Sequence, residues 1–375
     1  MVSLILAAFL GVVPNADRLV QRLGSRDFGE REAAAKSLRN LGSRAYPAVR
    51  AGLKSPQPEV VRRCEELIPA MQKATLRGAD HPARLAFAKV AGDTKVAIAL
   101  YDSITDTPRR CGVLERFTAE PKAVGSLYEA ELRRHYDEAS LPIDPDSFSG
   151  RLVLRRTEVS SDDRTLCLFL GSFPETAGKT FPKWEPLTRR GEYRNFLYSG
   201  IGYDKSVGMP AAHLKLLTAW VAVRDDSAAI AALMHWAAEH EGIRELLPLA
   251  RSLAAKDKLP APARAAALLL IGGLGEKSDS KVCEGYFRSG DVVAPESFDK
   301  KQPEIRLGDV AIAVALVLKS RHPGEFGYAA LAATPETRGL KGQALLQYYF
   351  RLGFPDDKSR LASRTQAKAL LGMVD

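Results

Sequence analysis

Residues 17–72 read DRLVQRLGSRDFGEREAAAKSLRNLGSRAYPAVRAGLKSPQPEVVRRCEELIPAMQ, and here helix starts, helix stops and apolar spacing all agree. Asp27 stands three residues before Glu30. A carboxylate at an N-cap with an acidic residue at that spacing is the pattern in which each side chain reaches the other's free backbone N–H. A helix is expected from that point. Ala34, Leu38 and Leu41 then fall on one face, with Arg31, Lys36 and Arg39 outside it, and Gly42 is the stop. Ala45, Val49 and Leu53 predict a second short helix with Pro47 in its first turn, where a missing N–H costs nothing. After the punctuation of Ser55 to Glu59, Val60, Cys64, Leu67 and Met71, joined by Val61 and Ile68, predict a third helix with a broad apolar face. Helices this short are marginal alone, so their apolar stripes must cover one another.

The strings REAAAKSLRNLGSRAYPAVRAGL (31–53) and PEVVRRCEELI (58–68) resemble bacterial HEAT-repeat proteins, whose units are antiparallel helix pairs stacked into a curved solenoid. The resemblance covers this stretch well and the rest of the chain in character only. It implies an all-α fold, a HEAT-like α-solenoid of stacked antiparallel helix pairs with an irregular central loop segment. It transfers no catalytic residue, because no motif beyond the helical repeat aligns. An ordinary all-α domain is the alternative.

With 375 residues the chain can bury a large core, and 46% hydrophobic with 26% charged residues is an ordinary globular balance. The 54 Lys and Arg against 45 Asp and Glu leave +9, an excess spread along the sequence without a basic block. That permits an acidic partner and favours a solvated surface over a nucleic-acid face. Cys64, Cys111, Cys167 and Cys283 lie far apart and never as C-x-x-C, against a zinc site or a small disulfide scaffold.

Four regions follow. Residues 1–16 hold an apolar run, Val2 to Val13, of signal-peptide length but without a leading Lys or Arg. It is read either as an export signal, which would favour an exported or periplasmic protein, or as a first helix of a cytoplasmic one; it is too short for a membrane span. Residues 17–138 read as an N-terminal helical array. In it, His81-Pro82 opens a helix bearing Leu85, Phe87, Ala88 and Ala91. Asp93 is expected to cap the next, bearing Val96, Leu100 and Ile104, Pro108 breaks the pattern, and Pro121 begins a run through Val124, Leu127, Tyr128, Leu132 and His135. Residues 139–205 read as a linker plus an irregular segment. Within them, Leu152 to Leu154 with Leu166 to Leu170 read as a hairpin or, in the favoured alternative, as a helix capped by Ser161 or Asp162 and ended by Gly171. Residues 206–375 read as a second helical array: apolar runs at Leu214 to Val221, Ala265 to Ile271 before Gly272-Gly273, and Val310 to Leu318 after Asp309, then a last helix from Asp357 through Leu361 to Leu371. Lys358, Arg360, Arg364 and Lys368 are expected to face water there as a polar end cap.

The segment after Pro174 combines prolines and glycines with Trp184, Arg189, Arg190, Tyr193, Arg194 and Tyr198. Long irregular segments carry function or are disordered, and aromatic residues with arginines typify interface hot spots, so these six are the candidate binding residues. The bland alternative is aromatics packed over a helical layer. His235 and Glu239 share a helix face, but the spacing matches neither H-E-x-x-H nor H-x-x-E-H, so no metal site is expected. No G-x-S-x-G or phosphate-binding loop occurs, and Asp162-Asp163, Asp225-Asp226 and Asp356-Asp357 are expected to cap helices. No catalytic residue or cofactor is expected. The readings are a non-enzymatic scaffold binding a protein partner, or a basic nucleic-acid-binding protein like the HEAT-like DNA glycosylases, with Trp184, Trp220 and Trp236 for stacking. A chromophore lyase is a weaker third.

Overall fold

The computed structural model describes residues 15–139, 160–179, 211–224, 229–230, 233, 244–294, 303–332 and 349–372. It is predominantly helical and divides into two units, Met1–Ala123 and Val124–Asp375.

The first unit carries α1 (Ala16–Arg22), α2 (Phe28–Leu41), α3 (Tyr46–Gly52), α4 (Pro58–Leu76), α5 (Pro82–Ala91), α6 (Lys95–Ile104) and α7 (Pro108–Ala119). Polar side chains start most of them. Asn15 Oδ1 accepts from Asp17 N at 2.9 Å, Asp27 Oδ1 from Glu30 N at 2.9 Å, and Thr94 Oγ1 from Ala97 N at 3.1 Å. Each such cap is worth about 1 kcal/mol. Gly42 and Gly92 end α2 and α5 at φ +57° and +88°, backbone that a side chain would strain.

The Asp27 cap forms only half of the expected reciprocal pair. Glu30 turns instead to Ser25 Oγ at 2.6 Å and Arg22 at 3.2 Å, while Asp27 N donates to Ser25 Oγ. Thr94, not Asp93, caps α6, and Ala97, Tyr101 and Ile104 form its buried face, while Val96, expected on it, is 49% exposed. Leu53 and Leu85 are likewise exposed, and Pro108 opens α7 where the sequence suggested only a break.

α1 packs against α2 and α3, α3 against α4, α4 against α7, and α5 against α6 and α7. Leu19, Leu23, Leu38, Val49, Cys64 and Leu67 form one buried cluster drawn from α1 to α4. Burying each such side chain contributes roughly 1.5–3 kcal/mol. Gly52 lets the helices close: a Cβ there would lie 2.6 Å from Cys64 Sγ and 2.8 Å from Val20 Cγ1.

The second unit carries α8 (Val124–Ala139), α9 (Ser161–Leu170), α10 (Ala211–Ala222), α11 (Leu247–Ala254), α12 (Ala261–Leu274), α13 (Ser280–Glu284), β1 (Val292–Ala294), β2 (Ile305–Arg306), α14 (Leu307–Leu318) and α15 (Asp357–Leu371). Residues 161–170 are helical, capped by Ser160 one position before the expected Ser161 or Asp162, so the strand alternative for Leu166 to Leu170 falls. α9 packs on α8 and α10, α11 on α10 and α12, and α14 on α12, α13 and α15. α12 runs through Gly272-Gly273, because the missing Cβ of Gly272 makes room for Val314 on α14, 3.3 Å from where it would sit.

The sequence pattern predicts no strand at 292–306, yet β1 and β2 pair antiparallel, Val292 opposite Arg306 and Ala294 opposite Ile305. The ladder is too short to stand alone and rests on α12.

A larger departure concerns the last helix. Arg360, one of the four basic residues expected to face water, is buried, whereas Lys358 is exposed and Arg364 and Lys368 are half-buried; Leu361 is exposed. Arg360 Nε donates to Asp309 Oδ1 at 2.9 Å and Oδ2 at 3.2 Å, and its guanidinium also donates to Glu304 O at 3.2 Å. Asp309 is thus the third residue of α14 and an ion-pair partner, its carboxylate also accepting from Arg306 N at 2.9 Å. Among the described residues, no helix is long and apolar enough to cross a membrane.

Candidate functional site

Trp184, Arg189, Arg190, Tyr193, Arg194 and Tyr198 lie outside the described residues, as do Trp236, His235, Glu239 and Asp225-Asp226. The structure does show what holds the chain at Lys179, the last described residue before the segment containing the six candidates. Trp220, expected to be open for stacking, is fully buried on α10, and its Nε1 donates to Tyr128 OH at 2.9 Å. No base can reach it.

Over these two rings lies the guanidinium of Arg224, 4.6 Å from the Tyr128 centroid and 5.2 Å from that of Trp220. Arg224 is 2% exposed. Its NH1 donates to the carbonyls of Thr176 and, at 3.4 Å, Lys179. Its NH2 donates to the carbonyl of Gly171 and, at 3.1 Å, to Thr176 Oγ1. The charge is therefore met by the Gly171 carbonyl at the C-terminal end of α9, where the helix dipole is negative, by the Thr176 and Lys179 carbonyls further along, and by two aromatic faces. Gly171 is required here for space: a Cβ would come within 2.5 Å of Trp220, 2.6 Å of Tyr128 and 2.8 Å of Arg224. Lys179 Nζ also pairs with Glu129 at 3.1 Å, holding that carboxyl below its ordinary range.

Beside this anchor opens a groove of about 520 Å³, lined by Ala177, Ala222, Val223, Arg224 and the turn Lys256-Asp257-Lys258-Leu259. Lys256 Nζ donates to Ala222 O at 3.0 Å, which leaves the rim with more positive than negative charge. The sequence carried a signal for the anchor that went unread: Trp220 and Arg224 are four apart, the spacing at which a cation and a ring meet on one helix face.

The described thiols are not set up as nucleophiles. The four cysteines are free and buried, and burial pushes every thiol up, Cys283 to about 12 and Cys167 well above its usual value. A nucleophilic thiol needs the opposite shift. Burial lowers His213, whose Nε2 lies 3.4 Å from Thr165 Oγ1. Burial likewise lowers His81, whose Nδ1 accepts from Ala83 N at 3.3 Å and so must be deprotonated to cap α5. Among the described residues, no group of His, Cys, Asp and Glu is placed to hold a metal ion. Set against family models, curated proteins and solved structures, the chain matches none.

Proposed function

We propose that the chain is a HEAT-like helical-repeat scaffold that binds a protein partner, through the 520 Å³ groove beside Arg224 and the segment 180–210 whose root Arg224 secures. The observation that carries this reading is the Arg224 anchor. A buried guanidinium bonded to three backbone carbonyls fixes the chain up to Lys179, after which the arginine-rich, aromatic-rich stretch begins in sequence, and the groove beside it carries Lys256 and Lys258. Interfaces with arginine and aromatic anchors over a fixed base lose less entropy on binding than mobile loops do. The partner it suits is a protein segment carrying Asp or Glu. Packing of α1 on α3 beside the α1–α2 and α3–α4 pairs supports the repeat reading in the first unit.

The experiment is partner capture from the native cell with the whole chain, compared with the Lys256→Glu/Lys258→Glu and Arg189→Ala/Arg190→Ala variants. Both pairs should reduce capture of the same partner, more strongly at low salt, with an unchanged melting temperature. Capture indifferent to both pairs would refute the site. Retention of generic DNA that falls steeply with salt would replace a protein partner with nucleic acid.

A further inference from the structure

Two polar residues seat α10 on α9. Just past its carboxyl end stands the permanently charged Arg224; in its first described turn stands His213, 8% exposed, with Nε2 3.4 Å from Thr165 Oγ1 on α9. The Thr165 hydroxyl already donates to Ser161 O at 2.9 Å, so toward the ring it can only accept, and the imidazole proton belongs on Nε2. Nδ1 is left buried, its lone pair without a hydrogen-bond partner. The two helices are otherwise lined with buried apolar side chains, Leu166 and Leu170 on α9 and Leu216 and Leu217 on α10. A second proton would have to go to Nδ1, making a buried N–H that meets no acceptor and a charge taken out of water. Burial accordingly weakens the hold of this imidazole on a proton, and Asp162 on α9 opposes that without prevailing. Of the other charged groups on the helices concerned, Asp163 of α9 pairs with Arg134 of α8 at 2.8 Å, Arg251 of α11 pairs with Asp279 at 2.7 Å, Arg164 of α9 is itself a cation, and Lys215 of α10 is exposed. Cys167 of α9 stays a neutral thiol.

We propose that the α9–α10 contact is an acid-sensitive joint: a proton taken up by His213 puts an unaccepted N–H and a charge between two packed helices and loosens the amino-terminal end of α10, while Arg224 keeps the other end seated. That end directly follows segment 180–210 in sequence. The joint does not depend on the Arg224 groove taking a partner, and holds or fails apart from it. Since the native state binds this proton less tightly than the unfolded chain does, the contribution of His213 to stability is present above about pH 6.5 and is lost as pH falls below it.

The assay is urea unfolding of the whole chain at about pH 7.5 and about pH 5.5, followed by tryptophan fluorescence, which reports the second unit because Trp184, Trp220 and Trp236 all lie in it. His213→Gln keeps an N–H for Thr165 and cannot take up a proton. An ordinary histidine titrating near pH 6.5 in the unfolded chain draws the equilibrium toward unfolding by up to about tenfold between these pH values. On acidification the unfolding constant of the parent should therefore rise by about two- to tenfold more than that of His213→Gln, in which every other group titrates as before. By NMR the His213 ring of the folded parent should titrate with a midpoint below about pH 6. A parent–variant difference under about twofold, or a ring midpoint at or above about pH 6, overturns the proposal. The ring titration, made on the parent alone, decides the matter if His213→Gln does not fold.

Discussion

Replacing Arg360 with alanine removes the counterion from a carboxylate that has almost no water to turn to. Asp309 is 1% exposed and Arg360 5%. Without the guanidinium, Asp309 loses bonds of 2.9 and 3.2 Å and keeps only the Arg306 amide, while Glu304 O loses a donor. The stacking of Arg360 over Phe354, itself 4.6 Å from Tyr328, goes too. Removing one partner of a buried pair costs about 3–5 kcal/mol. At about 2–4 °C per kcal/mol for a unit of this size, the melting temperature of residues 124–375 should fall by roughly 6–20 °C. Lys358→Ala, on the exposed side of the same helix, should stay within about 0.5 kcal/mol.

The pH dependence follows from the same carboxyl, raised by burial above its usual value against the pull of the Arg306 amide and Arg360. Since the native state holds this proton more tightly than the unfolded chain, the contribution of Asp309 to stability falls as pH rises through the raised value. Losing Arg360 raises the carboxyl further. The deficit of Arg360→Ala should therefore shrink on acidification from about pH 7 toward about pH 5. Urea unfolding at both pH values is the assay. A deficit under about 1 kcal/mol, or one independent of pH, would refute the buried-pair account.

Arg224→Lys should destabilise the second unit by about 2–4 kcal/mol, since an ammonium cannot span the carbonyls of Gly171 and Thr176 at once; a loss below about 1 kcal/mol in urea unfolding would contradict the anchor. Arg189→Ala/Arg190→Ala should leave thermal unfolding unchanged while weakening partner capture, and a large stability loss would instead make that segment structural. Native protein should show no thiol reactive toward a disulfide reagent, with reactive thiols appearing only on unfolding, because all four cysteines are buried; rapid labelling of the folded chain would contradict their placement.

The sequence was most legible where a backbone rule is local. The cap at Asp27, the helix start at His81-Pro82, the stop at Gly42 and the proline in the first turn of α3 all depend on neighbours within a few residues. Apolar spacing located the cores of α2, α4 and α14 for the same reason. It failed at α6, where Ala97 and Tyr101 carry the buried face that Val96 and Leu100 were expected to carry, and at Leu53 and Leu85, which are exposed. The Arg360–Asp309 pair was illegible because its members are 51 residues apart, and a lone arginine in a charged helix reads as solvated. Trp220 misled in the same way: only Gly171 and Tyr128, remote in sequence, reveal that the ring is covered. The six binding candidates rest on composition alone and lie outside the described residues.

The claim that helix pairs close tightly on one another is tested most directly by alanine at two helical glycines, Gly112 on α7 and Gly52 at the end of α3. A Cβ on Gly112 meets nothing within 4 Å, so Gly112→Ala should stabilise by about 0.5–1 kcal/mol through helix propensity. A Cβ on Gly52 would press on Cys64 and Val20 at 2.6 and 2.8 Å, and Gly52→Ala should destabilise by about 1–3 kcal/mol despite the same propensity gain. In urea unfolding the two variants should move in opposite directions; Gly52→Ala as stabilising as Gly112→Ala would mean that α1, α3 and α4 do not pack as described.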